Sequence, residues 1–287
     1  MKQLIILTGL SGSGKSIALH ALEDSGYYCI DNLPATMLPQ IAEHLQSETR
    51  HTGNPSASYD RVAISIDSRS AAIETLPAHI EQLKLQGIST QVLFLESNAE
   101  TLVKRFSETR RKHPLSKDTT TLAESIAIER ELLANLGNLG HVIDTSHISA
   151  NKLRAWIKEA VSSDHVGLTL LFTSFGFKHG IPLDADFVFD IRCLPNPHYD
   201  PKLRDLTGRD AEVQSFLDKQ ANAQEMLSDI KQYIEKWLPC FLTDNRSYLT
   251  VAIGCTGGQH RSVYFVEQLS QYFLSKQKVL TRHRELA

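Results

Sequence analysis

The sequence predicts an α/β protein: an N-terminal parallel-sheet domain followed by a second, smaller α/β domain. Three observations predict it. Short apolar runs alternate with helical stretches through the first half of the chain, the pattern of a parallel sheet covered on both faces. Directly after the first apolar run comes the string Gly9, Leu10, Ser11, Gly12, Ser13, Gly14, Lys15, Ser16, which fits G-x-x-x-x-G-K-[ST] and opens a helix. After residue 165 the rhythm changes to a shorter set of strands and helices with a glycine loop of its own. The first domain is therefore of the P-loop NTPase, kinase-like class.

Taken in order, strands are expected at residues 4–7, 27–30, 62–66, 92–95 and 141–143, and helices at 15–24, 36–45, 77–85, 99–111, 122–136 and 150–161. Residues 46–59 form a polar stretch around Gly53-Asn54-Pro55-Ser56 and read as a surface insertion. The first domain is drawn at 1–162, with a short linker at 162–165, and the second at 167–287. In the second, 168–173, 187–191 and 248–253 read as strands, 211–237 as one long helical stretch, and 261–274 as a closing helix.

Composition narrows the class. The chain has 287 residues, 41% hydrophobic and 22% charged, enough for a full core. A net charge of −3 confines any nucleic-acid contact to a local patch. No apolar run approaches the roughly 20 residues of a membrane span, and the first apolar run ends in the glycine loop rather than in a leader's cleavage site. Cys29, Cys193, Cys240 and Cys255 are scattered without a C-x-x-C pair, which suits a reducing cytoplasm and argues against a disulfide framework or a zinc site.

The loop's chemistry follows from its residues. Glycines let backbone N–H groups turn inward around a phosphate chain at the positive end of a helix. Lys15 would reach the β/γ-phosphates of a nucleotide, and Ser16 would hold Mg²⁺ through its hydroxyl. A carboxylate at the end of a neighbouring strand should assist the metal. Asp67 and Glu96 both qualify, and Asp67 is preferred because Ser68, Arg69 and Ser70 follow it. Lys15, Ser16 and Asp67 are thus the catalytic candidates, with Ser16 and Asp67 the metal ligands. Asp31-Asn32-Leu33-Pro34 and Asp144-Thr145-Ser146 reach the same sheet edge. Arg105, Arg110, Arg111 and Lys112 read as a basic helical run, either a solvated face or a lid over a transferring phosphoryl group.

In the second domain, Cys255, Thr256, Gly257, Gly258, Gln259, His260, Arg261 and Ser262 follow a strand and open a helix. Main-chain N–H groups there should make an anion cradle, unless the loop is a structural glycine turn, and Arg261 can grip an oxyanion with two N–H bonds. The order also fits the loop of cysteine phosphatases, in which a thiolate attacks phosphorus, although no leaving-group acid is evident. Phe175–Gly180 and the proline-flanked His198 can line the same pocket. Lys276, Lys278, Arg282, His283 and Arg284 cluster near the end, either a plain helix end and tail or a contact for an RNA backbone.

These strings resemble the RapZ/YvcJ family of bacterial P-loop nucleotide-binding proteins. The likeness is carried by residues 9–16, by Tyr28-Cys29-Ile30-Asp31-Asn32-Leu33-Pro34, by Arg110-Arg111-Lys112-His113-Pro114-Leu115, by Ser174-Phe175-Gly176-Phe177-Lys178-His179-Gly180-Ile181-Pro182, by Leu194-Pro195-Asn196-Pro197-His198, by Asn245-Arg246-Ser247-Tyr248-Leu249 and by residues 251–258. The resemblance implies weak hydrolysis of ATP and GTP, with residues 9–16 matching the ATP site and Asp67, Ser68, Arg69 and Ser70 the position assigned to GTP. It also implies an RNase adapter. Its C-terminal domain would bind small regulatory RNA, present it to an RNase E-like endonuclease and sense glucosamine-6-phosphate at His198, Cys255, Thr256, Gly257, Gly258, His260, Arg261 and Ser262. Tetramers are implied as well. RNA contact would fall to Lys276, Lys278, Arg282 and Arg284; enteric members carry a further lysine- and arginine-rich tail, and the 46–59 insertion is longer than the family leads one to expect. A small-molecule kinase and a Cys255-dependent phosphatase are the alternatives left by the residues themselves.

Overall fold

The structure, a computed structural model, describes residues 3–47, 60–117, 119–161, 168–243 and 248–286. Most of the 46–59 insertion and the whole 162–165 linker lie outside them. The chain divides into two compact units, residues 1–164 and 165–287.

Unit 1 is built on five parallel strands: β1 (Gln3–Gly9), β2 (Tyr28–Ile30), β3 (Arg61–Ser65), β4 (Ser89–Glu96) and β5 (His141–Asp144), in the order β2-β3-β1-β4-β5. The run Leu4-Ile5-Ile6-Leu7 is wholly buried because β1 is central and covered on both faces. Side chains alternate along a strand, so Ile5 and Leu7 pack with α1 (Lys15–Glu23) and α6 (Ala150–Val161). Leu4 and Ile6 pack instead with α2 (Leu38–Ser47), α3 (Leu76–Leu85), α4 (Ala99–Thr109) and α5 (Leu122–Leu133). Asn98 caps α4, accepting from Thr101 N–H at 2.8 Å, and Thr121 with Glu124 forms a capping box on α5.

The expected 99–111 helix stops earlier. Arg110 has φ 51°, a left-handed end to α4, so Arg111 and Lys112 stand on a loop rather than on the helix.

Unit 2 carries four parallel strands, β6 (Thr169–Gly176), β7 (Phe187–Asp190), β8 (Tyr248–Cys255) and β9 (Lys278–His283), in the order β7-β8-β6-β9. The expected single helix at 211–237 is two, α7 (Ala211–Asp218) and α8 (Ala221–Thr243). They and α9 (Arg261–Phe273) bury Val213, Leu217, Leu227, Ile230, Tyr264, Phe265 and Phe273 with the sheet. The C-terminal basic cluster is in the main a strand rather than a helix end or tail: Lys278, Arg282 and His283 lie on β9, paired with β6 from Thr169↔Lys278 to Ser174↔His283, while Lys276 stands in the turn after α9 and Arg284 just past β9.

Candidate functional site

The string after β1 turns back on itself as its glycines demand. Gly9, Gly12 and Gly14 have φ of 130°, 82° and 105°, in the region that side chains disfavour. The loop hands over to α1 at Lys15, so main-chain N–H groups converge at a helix N-terminus. Lys15 Nζ donates to the carbonyls of Gly9 (2.6 Å) and Leu10 (3.0 Å), closing the loop across its own mouth. Burial pulls the Lys15 pKa below the ordinary lysine value, and the carboxylates of Glu129 and Asp67 work against that shift.

A cavity of about 640 Å³ lies over the loop, lined among others by Ser11, Lys15, Ser16, Asp67, Arg111 and Lys112. It also takes in Asp31, Asn32, Arg69 and Arg105, so the loop, the ends of β2 and β3 and the basic segment meet in one place. Of the two carboxylate candidates, Asp67 lines this cavity, whereas Glu96 is paired with Arg130. Asp67 is engaged as well: Arg69 donates from its backbone N–H to Oδ1 (2.9 Å) and from Nε and Nη2 to Oδ2 (2.9 and 2.5 Å). That hydrogen bonding raises the Arg69 pKa above its usual value. Ser70 Oγ accepts from Ala35 N–H at 2.6 Å, tying β3's exit to the segment after β2. Ser16 is exposed on the cavity wall near Asp31 and Asp67, hard oxygen donors of the kind that hold Mg²⁺ together with phosphate oxygens. The three Arg69 bonds fill three of the roughly four acceptor positions on the Asp67 carboxylate.

Arg105 is a brace. It donates to Gly12 O (3.0 Å), to Thr145 Oγ1 (3.0 Å) and to Thr145 O (2.7 Å), linking the loop to β5's exit. Glu129 was not foreseen. Wholly buried on α5, it accepts from the backbone and hydroxyl of Ser11. The pattern that betrays it is spacing: residues 122, 126, 129 and 133 make the apolar stripe of α5, and a glutamate on that stripe is out of place.

The second glycine loop joins β8 to α9, as the sequence suggested, but its residues divide in two. Thr256 and Arg261 line a cavity of about 600 Å³ with Arg192, Asn196, Tyr199 and Asn222. Cys255 and Ser262 lie beneath it, 3.1 Å apart, and Cys255 Sγ accepts from Gly258 N–H at 3.3 Å. Cys255 is 3% exposed and is not among the residues that line this cavity, so this arrangement lends the phosphatase alternative no support. Arg261 donates to the carbonyls of Arg192 (2.9 Å) and Leu194 (2.8 Å), while its Nε is buried without a partner among the described residues. His198 is exposed, its ring 6.1 Å from that of His260.

His260 is buried, with Nε2 against the carbonyls of Leu203 (3.0 Å) and Arg204 (3.2 Å). Burial lowers its pKa; those two carbonyls oppose the shift, and His198 and Arg261 add to it. A histidine whose folded pKa lies below its unfolded value of about 6.5 costs no stability above that pH and loses stability as pH falls below it. The thermal midpoint of wild type should therefore drop more steeply between pH 7.5 and pH 5.5 than that of His260→Gln, followed by circular dichroism. Parallel slopes would show that His260 is not the titrating group.

The basic cluster expected to face RNA is dispersed. Arg282 is only 2% exposed, Lys278 and Arg284 are half-buried, and Lys276 sits over the Tyr272 ring at 4.0 Å and is paired with Glu235. A surface patch of all four residues does not form, because β9 turns Arg282 inward. The described residues include no helix long and apolar enough to cross a membrane.

Sheet, loop and cavity together define a P-loop protein with a five-stranded parallel sheet and a second α/β unit. Residues 2–165 match the RapZ-like N-terminal domain and 168–287 the RapZ C-terminal domain. The chain belongs to the RapZ family. A nucleotide-binding protein of Methylobacillus flagellatus is 64% identical over 285 residues, covering 99% of each chain. One from Thiobacillus denitrificans is 57% identical, covering 99% of this chain and 100% of its own. Among solved structures, the shikimate kinase of Acinetobacter baumannii in complex with shikimate covers 58% of this chain and 96% of its own, at 14% identity and a TM-score of 0.39.

Proposed function

We propose that this chain is a nucleotide-responsive regulator whose first unit binds ATP or GTP with Mg²⁺ and turns it over slowly. The observation that carries the reading is the loop of residues 9–16: three glycines at positive φ, main-chain N–H groups at the start of α1, and a lysine closing the mouth of a cavity of about 640 Å³. Relatives named nucleotide-binding proteins along their whole length support it. Ser16 would hold the metal, with Asp67 joining once Arg69 releases it. The metal would neutralise phosphate charge, while Lys15 and the loop's N–H groups orient the phosphate chain. Calorimetric titration with ATP and GTP, with and without Mg²⁺, tests this; no heat of binding at millimolar nucleotide would end it.

The second unit, in the same proposal, takes up glucosamine-6-phosphate. Support comes from the α9 N-terminus, the lining of Thr256, Arg192 and Arg261, and the buried Arg261 Nε, which has no partner among the described residues. Arg261→Ala is expected to weaken sugar-phosphate binding about tenfold or more, as the loss of a charge-assisted bond does, measured by calorimetry on the intact chain. Affinity unchanged in that variant would remove the sugar phosphate from this pocket. Family membership supports the rest: a cytoplasmic RNase adapter, tetrameric, that binds small regulatory RNA and presents it to an RNase E-like endonuclease. Filter binding to structured small RNA across a salt series tests it, and affinity insensitive to salt would contradict backbone contact.

A further inference from the structure

The side chain of Glu129 is 0% exposed, as is that of His113. Four donors converge on this carboxylate: Ser11 N–H on Oε2 (2.9 Å), Ser11 Oγ–H on Oε1 (2.7 Å), Ser68 Oγ–H on Oε1 (2.5 Å) and His113 Nε2–H on Oε2 (3.0 Å). His113 is set as a donor because its Nδ1 accepts from Leu115 N–H at 3.2 Å. Every bond therefore points toward Glu129, and the four come from three segments: two from Ser11 on the P-loop, one from Ser68 after β3 and one from His113 after α4.

The placement of these donors relative to the cavity is what gives the cluster its meaning. Ser11 lines the cavity directly. Ser68 is flanked in sequence by two lining residues, Asp67 and Arg69. His113 is flanked by Lys112 and Pro114, which also line it. Glu129 itself stands behind the wall. A buried charge in this setting is tolerable only when its acceptor sites are filled, so each of the three segments is held where it must be for the other two to stay in place.

We propose that Glu129 is the positioning residue of the cavity: it fixes the crest of the P-loop, the exit of β3 and the Arg110–Lys112 segment in one register, so that Arg111 and Lys112 face the same space as Lys15. This rests on the reading of that cavity as the nucleotide site. It makes the basic segment a lid anchored at its C-terminal end by His113, and not a freely moving loop. Displacement of Ser11 by a bound terminal phosphate would be felt by the lid through one carboxylate.

Three substitutions separate position from charge. Glu129→Gln can keep the geometry: its carbonyl oxygen can accept from Ser11 N–H and His113 Nε2–H, and its amide N–H groups can donate to the two serine hydroxyls, which rotate. Glu129→Ala cannot. His113→Ala frees the lid end alone. Two readouts apply to the full chain: affinity for a non-hydrolysable MgATP analogue, and the rate at which trypsin cuts after Arg110, Arg111 and Lys112 in the ligand-free protein. Glu129→Ala should lose about tenfold or more in affinity and be cut about tenfold faster, while Glu129→Gln stays within about threefold on both. His113→Ala should also be cut faster, with no further gain when combined with Glu129→Ala. Gln as impaired as Ala, trypsin rates unchanged in Glu129→Ala, or effects of the two sites that multiply would each overturn the proposal. Should Glu129→Ala fail to fold, His113→Ala and Ser68→Ala, compared singly and together, carry the same test. Absence of binding by wild type would instead strike the nucleotide reading, and the trypsin comparison, which needs no nucleotide, would still decide the coupling.

Discussion

Lys15→Ala is expected to weaken binding of a nucleoside triphosphate by about two orders of magnitude. In the ligand-free protein the ammonium donates to Gly9 O and Leu10 O at 2.6 and 3.0 Å, at the mouth of the cavity where phosphate oxygens would replace those carbonyls. A hydrogen bond to a charged group contributes about 1.5–3 kcal/mol, and about 3 kcal/mol is a factor of roughly 100. The fold should survive, since the packing of β1 on α1 and α6 runs through Ile5, Leu7, Ala18 and Leu22 and does not use this side chain. The protonation state supplies an independent check. Burial lowers the Lys15 pKa, so the ammonium is present below that value and lost above it. Wild-type affinity should then decline on going to alkaline pH sooner than an ordinary lysine would dictate, and the Lys15→Ala curve should be flat there. An affinity for Lys15→Ala within about threefold of wild type would show that the loop does not hold the phosphates.

Gly9→Ala should produce the largest loss of stability of any small substitution in unit 1. A Cβ at this position would stand 2.1 Å from Leu95 O and 2.6 Å from Leu95 N, and φ is 130°. Both obstacles are backbone, in the strand that pairs with β1 through Gly9↔Leu95, so no side chain can move aside to relieve them. Strain of this kind with forced backbone shifts costs about 3 kcal/mol or more, a fall in thermal midpoint of about 6–12 °C for a unit of this size. Gly26→Ala is the control. Its φ is 84° but nothing lies within 4 Å, so only the backbone preference is lost, about 1 kcal/mol. Equal effects of the two substitutions, measured by thermal denaturation, would refute the argument from close approach.

Much of unit 1 was legible in the sequence because its signals are local. An apolar run between turn residues becomes a strand whatever its neighbours do, and the glycine string can fold only one way once a strand precedes it and a helix follows. Errors came where a local pattern was overridden. The basic run after Arg105 continues helical spacing, yet α4 ends at Thr109 with Arg110 left-handed. The C-terminal run sets only Val279, Leu280 and Thr281 between basic residues, too short an apolar run to signal a strand by itself, and pairing with β6 makes it β9. Arg282 is buried by that pairing, not by anything in its neighbours.

The two glycine loops illustrate the same division. For residues 9–16 the spacing of glycine, lysine and serine was sufficient to locate a cradle. For residues 255–262 it was not, because the pocket beside Thr256 and Arg261 is completed by Arg192, Asn196, Tyr199 and Asn222, three of them from the segment after β7 and one from α8.

From the sequence alone came the two α/β units, the cradle at the end of β1 and the residue types that would meet phosphate, since each depends on contacts within a few residues. Tertiary structure alone decided that Asp67 is held by Arg69, that Cys255 is buried, that the basic cluster is scattered, and that Glu129 joins three segments. Those outcomes depend on which groups a parallel sheet brings together from positions as far apart as 11 and 129. The pairing energies of a buried carboxylate or guanidinium are set by that company, which no spacing along the chain encodes.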